Sequence, residues 1–120
     1  MRKKTLVIGA SEQRNRYSNM AIYKLLKNHH EVLAIGIRNA EVNGIEISIE
    51  LHNYKNIDTV TLYVSPKHQK GYYDYIISLK PNRVIFNPGT ENFEFYKILQ
   101  ENNIKYEVSC TLTLLATNQY

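Results

Sequence analysis

The sequence predicts an α/β domain built on a doubly wound parallel sheet of about five strands, with helices on both faces. Three observations carry this prediction. Five short apolar runs, Leu6-Val7-Ile8, Val32-Leu33-Ala34-Ile35, Val60-Thr61-Leu62-Tyr63-Val64, Arg83-Val84-Ile85-Phe86 and Tyr106-Glu107-Val108, each lead into small or polar residues. Most of the segments between them carry apolar residues at helical spacing. The first run ends in Gly9-Ala10-Ser11, a turn that allows close backbone approach and sets amide N–H groups beside a helix N-terminus.

The elements follow in order. After the first strand, Ser18 is a good N-cap, and Ile22, Leu25, Leu26 and His29 recur at helical spacing, so a helix is predicted from Ser18 to about His29. The second strand is Val32 to Ile35. From Arg38 to Asp58 no clear helix is visible. Ile45, Ile47 and Ile49 alternate there, which predicts a brief edge strand in a degenerate crossover. The strand at 59–64 leads into Ser65-Pro66, where Ser can cap and Pro fits the first helical turn. That helix would bury Tyr72, Tyr73, Ile76 and Ile77 and end near Lys80-Pro81. Past the strand at 83–86, a helix starting between Thr90 and Asn92 turns Phe95, Tyr96 and Leu99 inward. The last strand is at 106–108, and a short helix occupies Leu112 to Ala116.

Strands alternating with helices imply parallel pairing and right-handed crossovers. The expected strand order is 3-2-1-4-5, with the 45–49 piece as the edge strand or its remnant. Ligands in such sheets sit beyond the carboxyl ends of the strands, where the strand order reverses. That point falls between Gly9-Ala10-Ser11 and Ser65-Pro66.

A chain of 120 residues forms one domain, 1–120, with a single core. Hydrophobic residues make up 43% and charged residues 22%, the balance of a globular rather than a disordered chain. The net charge of +4 helps recruit an anionic small molecule, but no Lys/Arg block exists beyond Arg2-Lys3-Lys4, which disfavours nucleic acid as a partner. The lone Cys110 excludes an internal disulfide and fits a reducing compartment, so the expected location is cytoplasmic. The uncharged stretch after Lys4 is far too short for a membrane span, and no membrane partner is expected.

Several strings can hold a ligand. Gly9-Ala10-Ser11 lacks the full G-x-G-x-x-G fingerprint, since Ser11 and Arg14 replace its later glycines. It fits a ligand seat and a purely structural turn equally well. Arg14, Arg16, Tyr17 and Ser18 follow at once, and two guanidiniums beside a helix start favour a phosphate over the alternative of two solvated loop arginines. If the turn is a seat, replacing Gly9 by Val should remove binding with less effect on the fold.

The second strand ends in Gly36-Ile37-Arg38, where a nicotinamide dinucleotide domain usually carries an acid for the ribose. A cation there suits a phosphorylated ribose, as in NADP or coenzyme A; an exposed strand-end arginine is the alternative. Asn87-Pro88-Gly89-Thr90 forms a fixed turn on the same edge of the sheet, followed by a helix start at Thr90. It reads either as a phosphate or ligand-tail contact or as a turn with a helix cap.

Catalytic and metal groups are sparse. His29, His30, His52 and His68 show no metal-ligand spacing with Cys110 or with clustered acids. Glu91 is the one acid expected on the ligand edge, and it has no partner for acid–base work. Cys110 precedes a helix start at Thr111, where a thiolate is favoured, although a lone Cys is more often a core residue.

Together these strings resemble the small stand-alone CoA-binding domain proteins, which are similar to the CoA-binding domain that opens the succinyl-CoA synthetase α subunit. The resemblance rests on Val7-Ile8-Gly9-Ala10-Ser11, Arg16-Tyr17-Ser18, the strand Asp58 to Val64, Pro81 to Asn92 with its Asn-Pro-Gly-Thr-Glu-Asn string, and Cys110-Thr111-Leu112. It implies a Rossmann-like CoA-binding fold, with Gly9 to Ser18 and the end of the second strand holding the phosphorylated adenosine. Family members commonly end that strand in Asn-Pro-Lys; Gly36-Ile37-Arg38 keeps the cation and lacks the proline. The synthetase's phosphohistidine and ligase regions lie outside this domain, so ligase activity is not implied.

The expectation is binding of CoA or an acyl-CoA without catalysis. The pyrophosphate would lie at the turn of Gly9, Ala10 and Ser11 and the first helix, with Arg14 and Arg16 available to its oxygens, and the 3′-phosphate at Arg38. Ser65, Pro66 and the Asn87 to Thr90 loop would flank the adenine or pantetheine. The alternatives are an NADP-dependent redox enzyme or sensor, which needs an acid–base pair, and an interaction module with a vestigial ligand site.

Overall fold

The computed structural model describes residues 2–120. The elements are β1 (Thr5–Ile8), α1 (Tyr17–Lys27), β2 (Val32–Ile35), β3 (Ala40–Val42), β4 (Ile45–Ser48), β5 (Thr59–Leu62), α2 (Pro66–Gln69), a 3₁₀ turn over Lys70–Tyr72, α3 (Tyr73–Leu79), β6 (Arg83–Phe86), α4 (Phe93–Glu101), β7 (Lys105–Val108) and α5 (Thr111–Ala116). One sheet runs β3-β4-β2-β1-β5-β6-β7, parallel except for the β3–β4 pair. The strand order reverses between β1 and β5, as the sequence predicts, because β1 pairs with β2 on one side and β5 on the other.

The sheet has seven strands, not about five. The excess lies at one end. The run expected at 106–108 is β7, outside β6. The 45–49 piece, expected as an edge strand or its remnant, is β4, and Ala40–Val42 folds back antiparallel on it. Asn43 and Gly44 make that reversal with φ of +48° and +85°, the pair of positive values that a two-residue hairpin turn requires.

Alternation along the strands feeds two cores. Leu6, Ile8, Val60, Leu62, Val84 and Phe86 face α3 and α4, meeting Ile76, Phe95 and Leu99. Val7, Val32, Ala34 and Ile47 face the opposite way, toward Ile22 and Leu25 of α1 and Leu115 of α5. Burying both faces is what lets short runs of four residues persist as parallel strands.

Three boundaries differ from the sequence expectation. The first helix begins at Tyr17, not Ser18: Arg16 is the extended N-cap residue, and Ser18 is buried inside the first turn. His29 is exposed and outside the helix with φ +66°, and His30 is buried in its place. The helix after Ser65-Pro66 is broken by the 3₁₀ turn around Gly71, a residue of weak helix propensity. Tyr73, Ile76 and Leu79 are its buried residues, while Tyr72 and Ile77 are half-buried.

Candidate functional site

The exit of β1 is tighter than its sequence discloses. Gly9 has φ +93°, and a Cβ placed there would lie 2.6 Å from the Tyr63 carbonyl oxygen. A Cβ at Gly36 would lie 2.5 Å from the Ala10 carbonyl oxygen. Glycine at both positions therefore lets the ends of β1, β2 and β5 converge. The amides of Gly9 and Ala10 both donate to the Ile35 carbonyl oxygen at 2.9 Å. They are not free for an anion, which corrects the seat expected at these two amides. The expectation that Gly9→Val spares the fold is corrected as well, since the new side chain would meet backbone.

Free donors lie further along the loop. Arg16 provides no side-chain cap to α1, so the first-turn amides of Tyr17, Ser18 and Asn19 have no partner within the helix. The loop leading to them is braced internally. The Asn19 side chain donates to the Ser11 carbonyl oxygen at 3.0 Å, the Gln13 amide to Ser11 Oγ at 3.1 Å, and Arg16 Nε to Gln13 Oε1 at 3.2 Å. The positive end of the helix dipole, in a shaped loop beside an exposed guanidinium, favours an anion.

This helix end forms one wall of a cleft of about 800 Å³ over the β1–β5 reversal. Of the residues anticipated from sequence, Gly9, Ala10, Ser11, Arg16, Tyr17, Ser18, Arg38 and Ser65 line it. Arg14 and Pro66 do not. The Arg14 guanidinium lies 5.6 Å from the Tyr23 ring centroid instead.

The Asn87 to Thr90 turn is also absent from the cleft wall. The buried Asn87 donates to Thr61 Oγ1 at 2.7 Å and to the Leu62 carbonyl oxygen at 2.8 Å, and it accepts from the Thr111 amide at 2.9 Å. It ties β5, β6 and α5 together and has no donor left for a ligand. Thr90 is buried, donating through its hydroxyl to the Asn87 carbonyl oxygen at 2.8 Å. The buried Gln69 donates to the carbonyl oxygens of Val64 and Thr90 at 2.8 and 2.7 Å. The cap of α4 is Asn92, whose side chain accepts from the Phe95 amide at 3.2 Å, rather than Thr90. Pro88 and Gly89 are exposed.

The sequence reading missed several cleft residues. Glu12 lines the cleft, and its Oε1 lies 3.2 Å from Arg38 Nε, so Glu91 is not the one acid on this edge. Nothing local marks Glu12 as a partner of Arg38, because the two meet only when the β1 loop reaches the end of β2. Tyr63, His68 and Tyr72 complete the wall below Ser65. Among the described residues the buried Tyr63 hydroxyl has no hydrogen-bond partner, and burial holds its phenol well above the usual tyrosine range.

Cys110 lies outside the cleft. Burial would raise its thiol, but the nearby Thr113 hydroxyl and the Thr113 and Leu112 amides outweigh that and lower it. Among the described residues, no group of three or more His, Cys, Asp or Glu is placed to hold a metal, and no helix is long and apolar enough to cross a membrane.

Comparison with known proteins agrees with this architecture. A crystallised uncharacterized protein is 45% identical, covers 100% of this chain and 99% of its own, and superposes with a TM-score of 0.98. A hypothetical protein from Pyrococcus horikoshii OT3 is 27% identical with a TM-score of 0.84, over 92% of this chain and 80% of its own. A Thermus thermophilus protein, cell-free ID.343, shares the fold at 21% identity and a TM-score of 0.84, over 98% of this chain and 91% of its own. No curated protein matches the chain. The model of the CoA binding domain family matches residues 3–116, and this chain belongs to that family.

Proposed function

We propose that the chain binds coenzyme A or an acyl-CoA in the cleft over the β1–β5 reversal, as a cytoplasmic Rossmann-like binding domain without catalysis of its own. One observation supports the reading most strongly. The uncapped start of α1 and the guanidiniums of Arg16 and Arg38 border the same cleft. The ligand pyrophosphate meets the amides of Tyr17, Ser18 and Asn19 with Arg16 beside them, and the 3′-phosphate meets Arg38. Ser65, His68 and Tyr72 border the path left for the adenine or pantetheine. Arg38 holds Glu12 in the free protein, so on binding Arg38 exchanges a singly charged carboxylate for the doubly charged 3′-phosphate.

Calorimetric titration with CoA, acetyl-CoA, NADP and NAD side by side tests this. CoA or acetyl-CoA binds more tightly than either nicotinamide cofactor, and saturation at about a hundred times Kd adds about 2.7 kcal/mol to stability. Tighter binding of NADP or NAD would overturn the reading in favour of a redox protein. Binding of none of the four would favour an interaction module with a vestigial site.

A further inference from the structure

We infer that β7 is a self-association edge, and that a second copy of this chain pairs with it antiparallel about a two-fold axis through Tyr106. β7 ends the sheet, and among the described residues no strand lies beyond it. In its parallel pairing with β6, the Ser109 amide donates to the Phe86 carbonyl oxygen at 3.2 Å. With the register Phe86↔Val108, the odd-numbered residues of β7 bond inward. The N–H and C=O groups of Tyr106 and Val108 therefore point out of the sheet with nothing to pair them.

Register follows from charge. In a two-fold antiparallel pair each residue faces one on the same side of the sheet, so the centre falls on a single residue. Centring on Glu107 would oppose two like carboxylates and would turn inward-bonded groups toward the partner. Centring on Tyr106 makes the two Tyr106 residues exchange both backbone bonds. It also sets Lys105 of each copy opposite Glu107 of the other, in the non-hydrogen-bonded positions where side chains approach most closely. The Lys105 side chain is exposed and makes no hydrogen bond or ion pair among the described residues. Glu107 Oε1 takes Arg83 at 2.8 Å, leaving Oε2 for the incoming lysine.

Apolar surface collects along the same edge, on the other face of the sheet. Phe93 is 81% and Val108 52% exposed, and Phe93, Tyr96 and Tyr106 form a continuous aromatic row, with centroid separations of 5.4 and 4.3 Å. The opposite edge is unsuited to such pairing. β3 has only three residues, and centring a pair on Glu41 would oppose two carboxylates.

The contact is one short strand per copy, so the dimer is weak and forms at high protein concentration. Sedimentation velocity over a series reaching about 1 mM tests it, together with amide exchange at Tyr106. The wild-type chain shifts from monomer to dimer, and the Tyr106 amide becomes protected as concentration rises. Lys105→Glu, a surface change, raises the dimer dissociation constant about tenfold or more. Mixing it with Glu107→Lys restores dimer, because each glutamate then faces a lysine; if Glu107→Lys fails to fold, the Lys105→Glu shift and the Tyr106 protection decide. A wild-type monomer throughout the series, a dimer indifferent to Lys105→Glu, or a dimer that leaves the Tyr106 amide exchanging freely would each overturn the assignment.

Discussion

At Gly9 a single missing Cβ decides whether the sheet can close. Its positive φ and the Tyr63 carbonyl 2.6 Å from any added Cβ leave no room for a side chain. Gly9→Ala should cost about 2–3 kcal/mol, read as a lower urea midpoint, with Gly9→Val worse. A wild-type midpoint for Gly9→Ala would show that the β5 exit yields more easily than its packing implies. Arg38 answers to a different force. Its exposed pair with Glu12 is the kind worth about 0–1 kcal/mol, yet it competes with a ligand phosphate. Arg38→Ala should weaken CoA by about three- to tenfold while leaving dephospho-CoA nearly unchanged. Glu12→Gln should strengthen CoA by up to about fivefold. Isothermal titration of both variants against both ligands checks the pair of claims, and equal effects on the two ligands would move the 3′-phosphate away from Arg38.

At the scale of elements, the Asn87 to Thr90 turn is a structural joint. Asn87→Ala would strand the Leu62 carbonyl oxygen and the Thr111 amide, and should cost about 2–4 kcal/mol in a denaturant titration. Wild-type stability would mean that water replaces these bonds at no loss. This turn marks the limit of what the sequence carries. The strands at 5–8, 32–35, 59–62 and 83–86 and the reversal between β1 and β5 were legible, because buried parallel strands read as short apolar runs. The hairpin over residues 40–48 was overlooked although its signal, Asn43-Gly44 between apolar residues, stands in the chain. The partners of Gly9, Ala10 and Asn87 were not legible at all. A polar group looks available in sequence, and only the register of neighbouring strands shows that Ile35, Thr61 and Thr111 have already claimed it.

For the whole molecule, the face carrying α1 and α5 is closed by Tyr120 beside a titrating group. His30 is buried, accepts the Lys3 amide on Nδ1 at 2.9 Å, and stacks at a tilt 4.9 Å from the Tyr120 ring. Burial, and then the nearby cations Lys3 and Arg83, lower its pKa below the usual histidine value. The unfolded chain therefore takes up this proton first. The stability that neutral His30 contributes is full above about pH 6.5 and is lost as pH falls through the lowered folded value. Urea midpoints at pH 7.5 and 5.5 should fall with acid in the wild-type chain and fall less in His30→Gln. An equal drop in both would assign the acid sensitivity to other groups.

The central claim is that the start of α1, rather than the Gly9–Ala10 amides, receives the ligand phosphates. Amide exchange and chemical shifts of the ¹⁵N-labelled protein, followed through a titration with CoA, test it most directly. The amides of Tyr17, Ser18 and Asn19 should shift and slow on binding, while Gly9 and Ala10, already bonded to Ile35, change little. Protection confined to the 87–90 turn, or a saturable CoA complex that leaves the first turn of α1 unchanged, would contradict the account.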